Sequence, residues 1–168
     1  MKVARLISLL PLFVSAWAGT PPSADNVLKQ AERQAGRGHQ NVLLIFHASW
    51  CGWCHKFDDL LNNPQFKQQF DSSYQIVHMT ILEDPAHKAD ENPGGEDMYK
   101  HLGGGDGIPY FVIFSPAGKV LGDSRNPKNI GYPGEPDEVT YFMGLMRKTS
   151  HMSAAQLSSL QAFLSKKS

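Results

Sequence analysis

Cys51 and Cys54 are the two cysteines of the chain, and the stretch Trp50-Cys51-Gly52-Trp53-Cys54-His55-Lys56 concentrates the side chains that can do chemistry. A bridge between them would enclose only two residues, and so short a loop does little to restrain the unfolded chain. The spacing fits a reactive pair better than a structural staple. A cysteine at the start of a helix meets unpaired backbone N–H groups and the positive end of the dipole, which favour its thiolate at neutral pH. A second cysteine one helical turn further on can attack a mixed disulfide formed on the first. On this reading Cys51 is the attacking nucleophile and Cys54 the resolving thiol, less open to solvent.

The same residues support two other readings. Cys51-Gly52-Trp53-Cys54-His55 matches the Cys-x-x-Cys-His attachment pattern of a c-type haem, with His55 as one axial ligand and Met79, Met98, Met143, Met146 or Met152 as the other. Alternatively Cys51, Cys54 and a histidine, His47 or His55, would bind copper or zinc as a metallochaperone does. His39, His78, His87, His101 and His151 show no ligand spacing. Small c-type cytochromes are mainly helical, whereas this motif directly follows a strand pattern. The expected site therefore holds no metal and no cofactor.

The elements that must position the pair can be read from periodicity. A helix is expected over 23–35, with Ala24, Val27, Leu28, Ala31 and Ala35 on one face and Gly36-Arg37-Gly38 ending it. Val42-Leu43-Leu44-Ile45-Phe46 is apolar without alternation, the pattern of a strand buried on both faces and so central in a sheet. The cysteine helix follows, with Phe57, Leu60 and Leu61 on its apolar side, and stops at Asn62-Asn63-Pro64. A short helical turn is expected around Phe66 and Phe70, a strand over 74–82, a loop over 84–95 and a brief helix over 96–101. Tyr110-Phe111-Val112-Ile113-Phe114 reads as a strand, joined through Ser115-Pro116-Ala117-Gly118 to a hairpin partner over 119–122. After a loop over 124–135, Pro136, Asp137 and Glu138 open a helix that carries Val139, Phe142, Met143 and Met146. Ser153-Ala154-Ala155-Gln156 is a capping box for a last helix with Leu157, Leu160 and Leu164. The first and last helices each carry a one-sided apolar stripe and are expected to cover the sheet or its edges.

The 168 residues suit one domain, and an apolar fraction of 41% is ordinary for a globular chain, which excludes disordered, collagenous and polytopic membrane classes. Sixteen basic residues balance sixteen acidic ones, so there is no basic footprint for nucleic acid. Lys2 and Arg5, a short apolar run and Ala16-Trp17-Ala18 have the form of a secretory signal peptide over 1–18, with cleavage after Ala18. A periplasmic or secreted domain over 19–168 is the expected product.

Phe46-His47-Ala48-Ser49-Trp50-Cys51-Gly52-Trp53-Cys54-His55-Lys56, with Gly107-Ile108-Pro109 before an apolar strand and Ala117-Gly118-Lys119 after it, resembles the thioredoxin superfamily, and more narrowly the exported thioredoxin-like proteins of bacteria. The resemblance covers about residues 41–148. It implies an α/β thioredoxin fold, a central mixed sheet flanked by helices, here with an extra N-terminal and an extra C-terminal helix. It implies a monomeric thiol-disulfide oxidoreductase, by preference a reductase, acting on disulfide-containing or dithiol protein substrates, with a membrane-bound thiol reductase as electron donor. It makes Pro109 a cis-proline that shapes a substrate groove with Ile108. Trp53 and Trp50 would add an apolar platform for the substrate, Trp50 being mostly scaffold, while His55 and Lys56 would modulate the thiols. The loop bearing Arg125, Asn126, Tyr132 and Pro133 would border the groove. The chain departs from the family in having Ile45 where a buried Asp commonly stands six positions before the first Cys. It also has Gly52-Trp53 between the cysteines in place of Gly-Pro, and extra length before Pro109, mostly over 84–95.

Overall fold

A computed structural model describes residues 19–166, so the expected signal segment over 1–18 lies outside the described residues. In chain order the elements are α1 (Ala24–Gly38), β1 (Asn41–His47), α2 (Gly52–Leu61), α3 (Lys67–Ser73), β2 (Tyr74–Thr80), a 3-10 turn (Lys88–Asp90), α4 (Gly95–His101), β3 (Tyr110–Phe114), β4 (Val120–Asp123), α5 (Pro136–Thr149) and α6 (Ala154–Ser165). None of these helices is long and apolar enough to cross a membrane.

The strands lie in the order β2-β1-β3-β4, with β1 parallel to β2 and antiparallel to β3, and β4 antiparallel to β3. The unbroken apolar run of β1 has its reason here, because that strand is paired on both edges and covered on both faces. Successive side chains point to opposite faces. Leu43 and Ile45, with Phe111 and Ile113, meet Phe57, Phe70, Phe142 and Met146 of α2, α3 and α5. Val42, Leu44 and Phe46, with Tyr110 and Val112, meet Ala24, Ala31 and Ala35 of α1 and Tyr99 of α4. The result is a helix–sheet–helix sandwich in which α2 and α3 form the crossover between the parallel pair, the thioredoxin arrangement with helices added at both ends.

Three local expectations need correction, while the loop over 84–95 stands, apart from the 3-10 turn and the start of α4 at Gly95, but is firmly fixed. Gly36-Arg37-Gly38 does not end α1; it forms the last turn, and His39, at φ 53°, takes the left-handed position that a glycine usually fills. Buried Ala35 accepts from the Gln40 N–H at 2.9 Å, which secures that end. The 84–95 stretch is pinned to the sheet, with the Asn92 N–H 3.0 Å from the Thr80 carbonyl and the Thr80 N–H 2.8 Å from Asn92 Oδ1. Asn92 Nδ2 also donates to the Pro22 carbonyl at 2.9 Å, and the Ala24 N–H donates to the Pro93 carbonyl at 2.9 Å. The hairpin partner runs over Val120–Asp123, one residue later than expected, and its register with β3 slips between Ile113 and Phe114. The last helix covers α5 and the turn before α3 instead of the sheet, through Leu160 and Leu164, a Phe66–Phe163 ring contact at 5.1 Å and an Arg147–Gln161 hydrogen bond.

At the end of β1, His47 Nε2 sits 3.2 Å from Thr80 Oγ1, and its ring lies 4.9 Å from that of His78, whose Nε2 is 2.7 Å from Asp58 Oδ1. Burial, followed by the neighbouring His78, holds the His47 pKa below the ordinary histidine value, against the opposing pull of Asp58 and Glu83. Above that ordinary value His47 is neutral in both folded and unfolded chains and contributes nothing to pH dependence. Below it the unfolded chain takes up a proton that the folded one refuses, so stability falls as pH drops toward the lower folded value.

Two outcomes are expected in denaturant unfolding. Phe142 is fully buried, with ring centroids 6.1 Å from Phe57 and 6.0 Å from Phe111, so Phe142→Ala destabilises the fold by about 3–5 kcal/mol. His47→Gln loses less stability than the parent between about pH 7 and pH 5, because the refused proton is gone.

Candidate functional site

The site forms where β1 ends and α2 begins. Cys51 is the N-cap of α2 and is bonded to Cys54 in a disulfide, their Cα atoms 5.2 Å apart. The Cys54 N–H points at Cys51 Sγ from 3.2 Å, one of the unpaired N–H groups of the first turn. Such a donor stabilises negative charge on that sulfur when the pair is reduced. Cys51 is 4% exposed and Cys54 2%, so the expected difference in access is slight. Both sulfurs sit in a small apolar nest with Ala48 and Ile108.

The Ile108–Pro109 peptide is cis, and the Ile108 carbonyl oxygen lies 3.6 Å from Cys51 Sγ. Asn129 holds this segment in place. Its Nδ2 donates to the carbonyls of Gly107 and Pro109, each at 2.9 Å, while its Oδ1 accepts from Ser124 Oγ at 2.7 Å and from the Gly131 N–H at 3.1 Å. Ser124 Oγ in turn accepts from the Phe111 N–H at 3.1 Å, which ties the loop to β3. Gly107, at φ 102°, supplies a turn that side chains rarely adopt, and its carbonyl also accepts from the Tyr99 hydroxyl at 3.1 Å.

Beside Pro109 is a groove of about 310 Å³ whose walls include Trp53, Pro109, Tyr132, Asp106 and Glu138. Trp53 is 54% exposed, stacked against Tyr132 at 6.1 Å, with Lys56 Nζ 4.0 Å from its ring centroid. Glu138 Oε2 accepts from the N–H groups of Gly134 and Glu135, both at 2.9 Å, and so orders the entry to α5. Burial raises the pKa of Tyr132 above the ordinary phenol value. Trp50, expected mainly as scaffold, is 57% exposed, although its Nε1 donates to the Leu82 carbonyl at 2.8 Å. His55 Nε2 lies 2.9 Å from the Ser49 carbonyl oxygen. Of the 124–135 loop residues singled out by sequence, Tyr132 lines the groove, whereas Arg125 pairs with Asp123 at 3.1 Å.

Sequence reasoning passed over Asn129 and Glu83. Glu83 is a buried carboxylate directly after Leu82, a residue in the left-handed region at φ 56°. Its Oε1 and Oε2 accept from the N–H and the hydroxyl of Ser49, each at 2.6 Å. In sequence it sits in an acidic, proline-broken stretch that reads as solvated loop, and the only available signal was its position just past the end of a strand.

The two alternative readings find little in this geometry. Among the described residues, no group of three or more His, Cys, Asp or Glu side chains is placed to hold a metal ion. The methionines offered as axial ligands lie in the two cores: Met79 and Met98 on the α1 and α4 side, and Met143, Met146 and Met152 on the α5 side. His55 is held by the Ser49 carbonyl.

Among solved structures, the chain is similar to the disulphide isomerase of Xylella fastidiosa Temecula1, with 21% identity, a TM-score of 0.53, and coverage of 94% of this chain and 98% of that one. It is also similar to the oxidised C-terminal domain of DsbD from Neisseria meningitidis, with 22% identity and a TM-score of 0.45 over 61% of this chain and 84% of that one. A thioredoxin from Thermus thermophilus matches with 16% identity and a TM-score of 0.46 over 77% and 87% of the two chains. At 21% identity the likeness to the isomerase is one of fold. The model of the thioredoxin-like domain matches residues 28–125, the span from α1 to the end of the sheet that contains both cysteines and Pro109, and the chain belongs to that family.

Proposed function

We propose that the protein is a thiol-disulfide oxidoreductase of protein or peptide cysteines, working in the reducing direction. The observation that carries this reading is the Cys51–Cys54 disulfide at the start of α2, with the cis Ile108–Pro109 peptide against it. In the reduced protein the Cys51 thiolate attacks one sulfur of a client disulfide. The Cys51–client S–S bond forms, the client S–S bond breaks, and the departing client sulfur takes up a proton. The Cys54 thiolate then attacks Cys51 Sγ, expels the second client sulfur as a thiol after protonation, and closes the Cys51–Cys54 bond. Two electrons have passed to the client, and a dithiol donor, a membrane-bound thiol reductase on this reading, returns them.

The Ile108 carbonyl, 3.6 Å from Cys51 Sγ, presents the negative end of a dipole to that sulfur. It opposes a thiolate on Cys51, and to the extent that the reduced pair would otherwise ionise this favours the disulfide and the reducing direction, against the opposite influence of the Cys54 N–H. Pro109, Ile108, Trp53 and Trp50 form the client surface in this reading, with Lys56 steadying Trp53 and His55 steadying the turn before Cys51. The protein works as a monomeric single domain over residues 19–168, in the periplasm or outside the cell, after loss of residues 1–18.

Equilibration with glutathione should place the couple near about −270 mV, as for a reductase; a value near about −120 mV would reverse the assigned direction. Cys51→Ser abolishes dithiol-dependent reduction of a protein disulfide, and Cys54→Ser accumulates mixed disulfides that are visible on non-reducing gels. Full activity in Cys51→Ser would sink the proposal. Trp53→Ala raises KM for a peptide disulfide about tenfold while leaving exchange with glutathione unchanged, since only the larger client uses the aromatic wall.

A further inference from the structure

Glu83 is the one charged residue among the described residues that is buried, and it faces the turn that carries Cys51. Both of its oxygens act as acceptors, the role of a carboxylate, toward the Ser49 N–H and hydroxyl at 2.6 Å. Ser49 is two residues before Cys51, and the turn is tight, with the Cys51 N–H donating to the Ala48 carbonyl at 3.1 Å. The carboxylate is therefore one hydrogen bond and two residues removed from Cys51. It is held there from behind: the Glu83 N–H donates to Glu91 Oε1 at 2.8 Å, and that same oxygen accepts from Lys88 Nζ at 2.8 Å. Leu82 adds a second tie through its carbonyl to Trp50 Nε1.

We infer that Glu83 is a positioning residue that sets the ionisation of Cys51, and that the 84–95 segment holds its charge behind the redox turn. The inference rests on the oxidoreductase reading above. A fixed negative charge at this range in a partly desolvated site disfavours a thiolate on Cys51, so the reduced pair is destabilised relative to the disulfide. Other charged groups surround the turn: His55 and Lys56 on α2, His47 at the end of β1 and Asp106 before β3. His55 is engaged by the Ser49 carbonyl, Lys56 lies over Trp53, His47 lies beside Thr80, and Asp106 is exposed. Glu83 alone among these is buried, where screening by water and salt is weakest.

The test uses the reduced full-length protein, reading the pH profile of Cys51 alkylation by iodoacetamide and the equilibrium with glutathione. Glu83→Gln keeps an acceptor for the Ser49 N–H but removes the charge. It moves the alkylation midpoint down by about one pH unit and shifts the glutathione equilibrium toward the dithiol, by up to about tenfold at a pH above both midpoints. Ser49→Ala, at an exposed position, keeps the charge and removes a donor that offsets it, so the midpoint moves the other way, upward by less than about threefold in thiolate fraction. A brace acting only through shape would leave both midpoints in place or move them in the same direction, and either result overturns the inference. If Glu83→Gln does not fold, Ser49→Ala decides alone: an upward shift supports the charge and no shift overturns it. Parent protein that fails to exchange with glutathione at all overturns the oxidoreductase reading itself, a result distinguishable from unchanged variants of an active parent.

Discussion

The connection between β1 and α2 is the constraint on which the site depends. β1 is sealed on both faces and both edges, so the chain leaves it at a fixed point and direction, and only Ala48, Ser49 and Trp50 separate its last residue from Cys51. So short a segment pairs the Cys51 N–H with its own Ala48 carbonyl at 3.1 Å but leaves the polar groups of Ser49 and the Trp50 indole to others. It borrows partners from three directions: Glu83 for the N–H and hydroxyl of Ser49, His55 for the Ser49 carbonyl and the Leu82 carbonyl for the Trp50 indole. Ser49 and Trp50 are themselves exposed, so of these groups it is the buried Glu83 carboxylate whose lost partners would each cost about 1–3 kcal/mol.

The opposite wall of the site obeys the same logic with a different hub. The Gly107–Pro109 segment approaches the disulfide as irregular backbone, whose carbonyls have no strand partners. One Asn129 side chain serves two of them and passes the restraint to β3 through Ser124. The site is therefore built from two polar clamps, Glu83 on one side and Asn129 on the other, closing on a pair of sulfurs that rest in an apolar nest.

Much of this was legible from residue order, and the parts that were not share a cause. The run from Val42 to Phe46, the Cys-x-x-Cys pair and Ile108-Pro109 announce themselves through local pattern, because burial on two faces, a helix start and a proline each leave a mark within a few residues. Glu83 acts on Ser49 across 34 positions, and Asn129 acts on Gly107 across 22; no periodicity records a hydrogen bond between loops. The end of α1 was misplaced because a Gly-Arg-Gly triplet reads as a stop, whereas the buried Ala35 and the left-handed His39 decide where the helix closes. The exposure of Trp50 was equally hidden, since an indole before a cysteine reads as core until the loop beneath it is known.

Near-complete burial of both sulfurs bears on selectivity in time more than in affinity. In-line attack on a disulfide needs a straight approach along the S–S axis, and cysteines only 4% and 2% exposed leave little room for one. Access of that kind favours a cystine carried on a protruding or unfolded segment over one set rigidly within a compact fold.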